Sequence, residues 1–147
     1  MFNQKVLIGT FILAIINFAA GFLWYDVLMA DYYPTMEGAN RIPINFPILI
    51  VGVLIFSYAF TRLFQLIQNN NEPLMGQAIR YGLLVGLLTA VSYALFNHAL
   101  MQIWSGTHHI VDAIFNTIMA IIMACVLAKY FGPEGARPGG VTGGGDI

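Results

Sequence analysis

Charged residues are scarce in this sequence. Asp, Glu, Lys and Arg make up only 9% of its 147 residues, whereas they make up roughly 25% of an average soluble protein. Together with a hydrophobic content of 59%, this scarcity excludes an ordinary soluble domain. The formal net charge is −1, so the chain offers no basic surface on which nucleic acid could bind. We therefore expect no nucleic-acid partner.

Cysteine is also nearly missing. Cys125 is the one cysteine of the chain, and a single cysteine forms neither an internal disulfide nor a Cys-x-x-Cys redox pair. No Ser or Cys stands beside a base and an orienting acid, as nucleophilic catalysis would require. The sequence contains no established catalytic motif, and we predict that the protein is not an enzyme.

Long hydrophobic runs are abundant. A helix that crosses a bilayer needs about 20 mostly apolar residues, and four stretches meet this requirement, at about residues 6–28, 47–67, 78–103 and 110–131. We therefore predict an all-α polytopic membrane protein, in which residues 1–132 form an antiparallel bundle of four transmembrane helices in contact with the lipid bilayer. Residues 133–147 are rich in Gly and Pro and are predicted to form a cytoplasmic tail.

The distribution of Lys and Arg predicts the orientation of this bundle. In a four-span arrangement all of these residues except Arg41 fall on one side of the membrane, namely Lys5, Arg62, Arg80, Lys129 and Arg137. Positive residues accumulate on the cytoplasmic side. We therefore expect both termini in the cytoplasm, with Asp26 at the outer face.

Small residues recur at every fourth position in the third and fourth segments. They are Gly82, Gly86, Ala90 and Ala94 in the third segment, and Ala120, Ala124 and Ala128 in the fourth. Small residues at this spacing allow two membrane helices to approach closely. We predict a tight hairpin whose turn is centred on Ser105. In that register Gly86 lies near Ala124, and His98 lies within direct or one-water hydrogen-bonding reach of Asp112.

Polar side chains gather toward the outer half of the predicted bundle. They are Asp26, Asn97, His98, His108, His109, Asp112 and Asn116. Three interpretations remain open: a structural hydrogen-bond network, a metal or haem site, and a pocket linked to a proton or a solute. Imidazole and carboxylate suit zinc or copper, but no HxxxH or HExxH spacing is present. We predict no cofactor and retain metal or haem as an alternative.

Two stretches resemble uncharacterised families of small four-helix bacterial membrane proteins, which are domains of unknown function. The first is the sequence AAGFLWY, from Ala19 to Tyr25. The second combines Leu95-Phe96-Asn97 with Ile110-Val111-Asp112-Ala113, after an intervening loop. The resemblance covers most of the four spans but not the tail. It implies a four-helix architecture in a bacterial inner (plasma) membrane and implies no mechanism.

The sequence supports two expectations about function. The first is a non-catalytic accessory or scaffolding subunit, bound to other membrane protein subunits of a larger complex. It rests on the missing catalytic constellation and on Trp24 and Tyr25, which are typical of aromatic anchors at the membrane interface. The alternative is a protein that binds or transports a small molecule, a proton or a metal through the outer polar pocket. Carriers usually bind substrate near the bilayer midplane, and there the chain offers only Asn17, which cannot titrate.

Overall fold

The computed structural model describes residues 3–32, 45–69, 72–100 and 106–132. Within these ranges the chain forms four helices in an antiparallel bundle: α1 (Gln4–Leu28), α2 (Phe46–Ile67), α3 (Leu74–Leu100) and α4 (Gly106–Phe131). Each helix is long and apolar enough to cross a membrane. The predicted fold class is therefore confirmed. The predicted tail, Arg41, Arg137 and the predicted turn at Ser105 lie outside the described residues.

Local sequence signals explain where the first two helices begin. The side chain of Asn3 accepts a hydrogen bond from the backbone N–H of Lys5 at 3.0 Å. Asn45 caps α2 in the same way, by accepting from the backbone N–H of Ile48 at 3.3 Å. Pro47 follows in the first turn of α2, where its missing N–H removes no helical hydrogen bond.

The bundle has two unlike ends. We call the end at which α1 and α3 begin the proximal end, and the opposite end the distal end. The tightest core lies in the proximal half and contains Leu13, Phe60, Phe64, Ala78, Tyr81, Ala124, Leu127, Ala128 and Phe131. The hydroxyl of Tyr81 donates to the backbone carbonyl of Phe60 at 2.7 Å, which links α3 to α2 there. The proximal half is thus closely packed and internally hydrogen-bonded.

Two glycines bring α3 and α4 into backbone contact. A Cβ atom on Gly82 would collide with the Cα of Ile121, and one on Gly86 would lie 2.8 Å from the Cα of Thr117. Neither position leaves room for a side chain. The close approach predicted from the small residues of α3 is therefore present.

The predicted register of this hairpin is wrong. Gly86 lies against Thr117 and not near Ala124, a difference of about two helical turns along α4. A shift of two turns leaves the same face of α4 toward α3, so the spacing of the small residues fits both registers equally well. The error came from assuming that the hairpin turn is centred on Ser105.

Two segments in the distal half are wound more widely than an α-helix. Leu23–Leu28 of α1 and Leu87–Val91 of α3 are π-helical. Short π-helical insertions occur often at functional sites and change which side chains a helix presents to its neighbours. In α3, the hydroxyl of Thr89 donates to the carbonyl of Val85 at 2.7 Å, and that of Ser92 donates to the carbonyl of Leu87 at 3.1 Å. These hydroxyls bond to the backbone where the helical pattern changes.

Candidate functional site

A cavity of about 330 Å³ lies among the four helices, between the middle of the bundle and its distal end. We call it the Asp112 cavity. Its lining comes from all four helices and consists of Asn17, Tyr25, Phe56, Thr89, Ala90, Tyr93, Asp112, Asn116, Met119, Ala120 and Met123. Both π-helical segments contribute to this lining, through Tyr25 on α1 and through Thr89 and Ala90 on α3.

Asp112 supplies the carboxylate of the cavity. The hydroxyl of Tyr25 donates a short hydrogen bond to its Oδ1 atom. Asn116 donates from its amide to the oxygen of Tyr25 at 3.1 Å and to the backbone carbonyl of Asp112 at 2.9 Å. Asp112 lies six residues after Gly106 in sequence, which corresponds to about 9 Å along the helix axis. The carboxylate therefore lies within the span, where ionisable groups are costly and often functional.

An aromatic stack holds Tyr25 in position. The ring of Trp24 lies parallel to that of Phe115, with centroids 4.2 Å apart and an interplanar angle of 2°. The ring of Tyr25 meets Phe115 edge-on at 6.1 Å. These contacts join α1 to α4 one turn from Asp112. Of the two aromatic residues that the sequence suggests as a membrane anchor, Tyr25 therefore contacts the site directly, and Trp24 stacks on Phe115 beside it.

The Asp112 cavity holds one carboxylate and lies far from the described basic residues. The Lys and Arg residues of the described chain all lie near the proximal end, at Lys5, Arg62, Arg80 and Lys129. Arg80 forms an ion pair with Glu72 there. Within the described chain, the charge of Asp112 is therefore matched by hydrogen bonds and not by a Lys or Arg side chain.

Asn17 lines the same cavity from the middle of α1. The sequence predicts that this amide faces another helix, because an amide exposed to lipid would be costly. In the structure it is half-buried and also lines a neighbouring cavity of about 340 Å³ between α1 and α2. Asn17 and Tyr25 belong to both linings, so the two cavities adjoin.

His98 and His109 do not line the Asp112 cavity. His98 and His109 meet edge to face, with ring centroids 5.7 Å apart, and both line a third cavity of about 490 Å³ between α3 and α4. We call this mainly apolar cavity the histidine groove. His98 lies against Gly106, whose Cβ position is 3.4 Å from the imidazole Cε1 atom. No direct hydrogen bond joins His98 to Asp112 in the described structure, because the observed register brings His98 level with the start of α4.

The remaining members of the predicted polar cluster lie apart from Asp112 and Asn116. The Nε2 atom of His108 is 2.9 Å from the backbone carbonyl of Tyr32, where the chain folds back after α1. Asp26 lines the cavity between α1 and α2. Asn97 is half-buried on α3 and lines none of these three cavities. Of the seven predicted residues, Asp112 and Asn116 form one site, and His98 and His109 form another.

Among the described residues, no three His, Cys, Asp or Glu side chains come together closely enough to hold a metal ion. Cys125 is half-buried in α4 and packs against the core.

Sequence reasoning missed several residues of the Asp112 cavity, notably Tyr25, Thr89 and Tyr93. Tyr25 and Tyr93 resemble ordinary interface aromatics, and Thr89 is a common helix residue in membranes. The sequence did contain one indication of the site, since the amide of Asn17 would be costly if it faced lipid. Had Asn17 been placed next to Asp112, the one acidic residue of the fourth span, the site would have been predicted.

The model of a family described as a protein of unknown function, DUF1761, matches residues 8–128, which include the lining of all three cavities. No curated protein and no solved structure matches the chain.

Proposed function

We propose that this chain, which belongs to the DUF1761 family of proteins of unknown function, is a membrane protein that binds a small molecule in the Asp112 cavity. The family agrees with the predicted resemblance to uncharacterised four-helix membrane proteins. The proposal rests on one observation. The carboxylate of Asp112 lies inside a span and lines a cavity, and among the described residues it has no Lys or Arg partner. Such a residue usually marks the path or binding site of a ligand or ion.

The composition of the cavity supports ligand binding. Small-molecule sites are mostly apolar, contain a few convergent polar groups, and have volumes of roughly 300–1,000 Å³. The Asp112 cavity lies at the lower end of this range, with about 330 Å³. Phe56, Met119 and Met123 form apolar parts of its wall. The polar groups of Asp112, Asn116 and Asn17 converge from two helices. We propose binding without catalysis, since the chain has no catalytic motif.

A cavity-filling substitution tests this proposal. Ala90 lines the Asp112 cavity, whereas Ala94, one turn further along α3, lines the histidine groove. We expect a stabilising ligand, found by thermal melting of the purified protein against a panel of small molecules, to lose its effect in Ala90→Phe. The same ligand should keep its effect in the matched control Ala94→Phe. Equal stabilisation of the wild type and Ala90→Phe by every ligand that acts would contradict the proposal.

An accessory or scaffolding subunit of a larger membrane complex is the second candidate, and the exposure of Tyr93 favours it. This side chain is 64% exposed although it lies within the third span. A tyrosine hydroxyl is poorly accommodated by lipid tails, and a helix of another membrane protein subunit would cover it. Native mass spectrometry after extraction in mild detergent tests this candidate. A stoichiometric partner polypeptide that Tyr93→Ala releases would support it, and a chain without any partner would contradict it.

We further propose that the protein lies in the inner membrane of a bacterium with both termini in the cytoplasm. The described Lys and Arg residues lie near the proximal end, which agrees with the accumulation of positive residues on the cytoplasmic side. The Asp112 cavity would then lie in the outer half of the membrane.

A further inference from the structure

We infer that the ligand of the Asp112 cavity is a small organic cation, namely an amine in its ammonium form. This inference rests on the proposed function, because it names the chemical class of the molecule that the cavity would bind. Three features of the cavity carry it: the charge of its one carboxylate, the aromatic rings of its wall, and its amide groups.

The charge of Asp112 favours a cation. One carboxylate oxygen accepts from Tyr25, and the other accepts no hydrogen bond from a described residue. The neighbouring histidines of α4 face elsewhere, since His108 bonds to the carbonyl of Tyr32 and His109 lines the histidine groove. A carboxylate within a span interacts much more strongly with a cation than it would in water. An ammonium group would supply the missing positive charge together with N–H donors for the second oxygen.

The rest of the lining suits an organic cation. The rings of Phe56, Tyr93 and Tyr25 belong to the wall, and aromatic faces attract ammonium groups held near them. The amide oxygens of Asn17 and Asn116 are further acceptors for N–H groups.

The same lining fits an inorganic divalent cation poorly. Calcium takes about 6–8 oxygen ligands, carboxylates prominent among them, whereas this wall offers one carboxylate, and its other polar side chains are amides and hydroxyls set among apolar residues. Its methionines and aromatic rings match the hydrocarbon part of an amine. The ligand class that uses both the charge and the apolar surface is therefore an organic ammonium ion.

Isothermal titration calorimetry with three probes of similar shape tests this inference. The probes are benzylammonium, benzyl alcohol and benzoate, titrated at pH 7 into the purified full-length chain in detergent. Two variants with the same chemical change provide the comparison. Asp112→Asn removes the carboxylate of the Asp112 cavity, and Asp26→Asn removes that of the adjoining cavity between α1 and α2. Thermal melting of both variants establishes that they are folded.

We expect benzylammonium to bind the wild type and Asp26→Asn, and to bind Asp112→Asn at least about tenfold more weakly, since a lost charge-assisted hydrogen bond corresponds to such a factor. Benzyl alcohol should bind weakly and equally to all three proteins, and benzoate should not bind. Tight binding of benzyl alcohol that Asp112→Asn leaves unchanged would overturn the inference and leave the proposed function intact. Loss of benzylammonium binding only in Asp26→Asn would overturn the assignment to this cavity. Binding of none of the probes would overturn the inference, whereas the proposed function is decided separately by the panel of small molecules and the Ala90→Phe variant.

Discussion

At Tyr25 a single hydroxyl group connects two helices. It donates to the carboxylate of Asp112 and accepts from the amide of Asn116, while the ring beside it packs against Phe115. Because all of these partners lie on α4, Tyr25 determines how α1 meets α4 at the distal end. The same hydroxyl compensates part of the cost of a carboxylate inside the membrane.

We expect Tyr25→Phe to lower the free energy of unfolding by about 1–2 kcal/mol, because it leaves Asp112 without its hydrogen-bond donor. Denaturation of the purified protein in a graded series of sodium dodecyl sulfate would measure the change. Tyr58→Phe is the matched control, since Tyr58 lies on α2 and makes no hydrogen bond to a described residue. A Tyr25→Phe variant as stable as Tyr58→Phe would contradict the role of this hydroxyl.

For individual residues, the sequence predicts which polar side chains belong to the site better than it predicts their hydrogen-bond partners. Asp112 and Asn116 were both placed in the predicted polar cluster of the outer half, and the structure brings these two together at the cavity. Tyr25 was interpreted as a membrane anchor, since aromatic residues at the end of a span usually have that role. Its bond to Asp112 depends on the π-helical winding of Leu23–Leu28, which no residue spacing in the sequence predicts.

The contact between α3 and α4 depends on glycines that accept no side chain. The nearest atoms to the Cβ positions of Gly82 and Gly86 include backbone atoms of α4, which cannot move aside as a flexible side chain would. Gly52 of α2 is different, because no described atom beyond its chain neighbours and the nearby backbone of α2 lies within 4 Å of its Cβ position. The structure therefore distinguishes glycines that the sequence alone treats alike.

We expect Gly82→Ala and Gly86→Ala each to destabilise the protein by about 1–3 kcal/mol, because one added methyl group forces two helix backbones apart. Gly52→Ala should instead stabilise it by about 0.5–1 kcal/mol, since alanine loses less backbone entropy than glycine in a helix. Denaturation in sodium dodecyl sulfate compares the three variants. If all three changed stability in the same direction, the close contact would not exist as described.

The pairing of these helices could be predicted from the sequence, but their register could not. A stripe of small residues shows which face of a helix packs, and Gly82 and Gly86 do pack against α4. It does not show how far one helix slides along the other, because a slide of two turns presents the same face again. The wrong register placed His98 at the level of Asp112, whereas in the structure His98 lies against Gly106 and His109.

The described part of the molecule is packed unevenly from end to end. Phe64 is 0% exposed in the proximal core, whereas Phe46, at the start of the same helix, lines the cavity between α1 and α2. We expect Phe64→Ala to lower the free energy of unfolding by at least about 2 kcal/mol, because membrane helices associate largely through packing contacts that a cavity removes. Phe46→Ala should cost much less in the same denaturation assay. A larger cost at Phe46 would contradict the division into a packed and an open half.

The orientation of the bundle is tested by labelling single cysteines in intact cells with a reagent that does not cross the membrane. In a Cys125→Ala background, Gln4→Cys and Asp31→Cys place thiols at the two ends of α1, where both native side chains are exposed. We expect only Asp31→Cys to react from outside, because the basic residues favour a cytoplasmic proximal end. Equal reaction of the two thiols from one side would exclude an α1 that spans the membrane.

The proposed function depends most on one claim, that a charged small molecule can enter the Asp112 cavity. Ala90 and Leu88 lie in the same π-helical segment of α3, but Ala90 lines the cavity and Leu88 is 74% exposed on the outside of the bundle. In a Cys125→Ala background reconstituted into lipid vesicles, the rate at which 2-aminoethyl methanethiosulfonate modifies Ala90→Cys and Leu88→Cys measures this access. We predict rapid modification of Ala90→Cys and almost none of Leu88→Cys, since lipid excludes the cationic reagent. Rapid modification of Leu88→Cys alone, or no modification of either variant, would contradict the account.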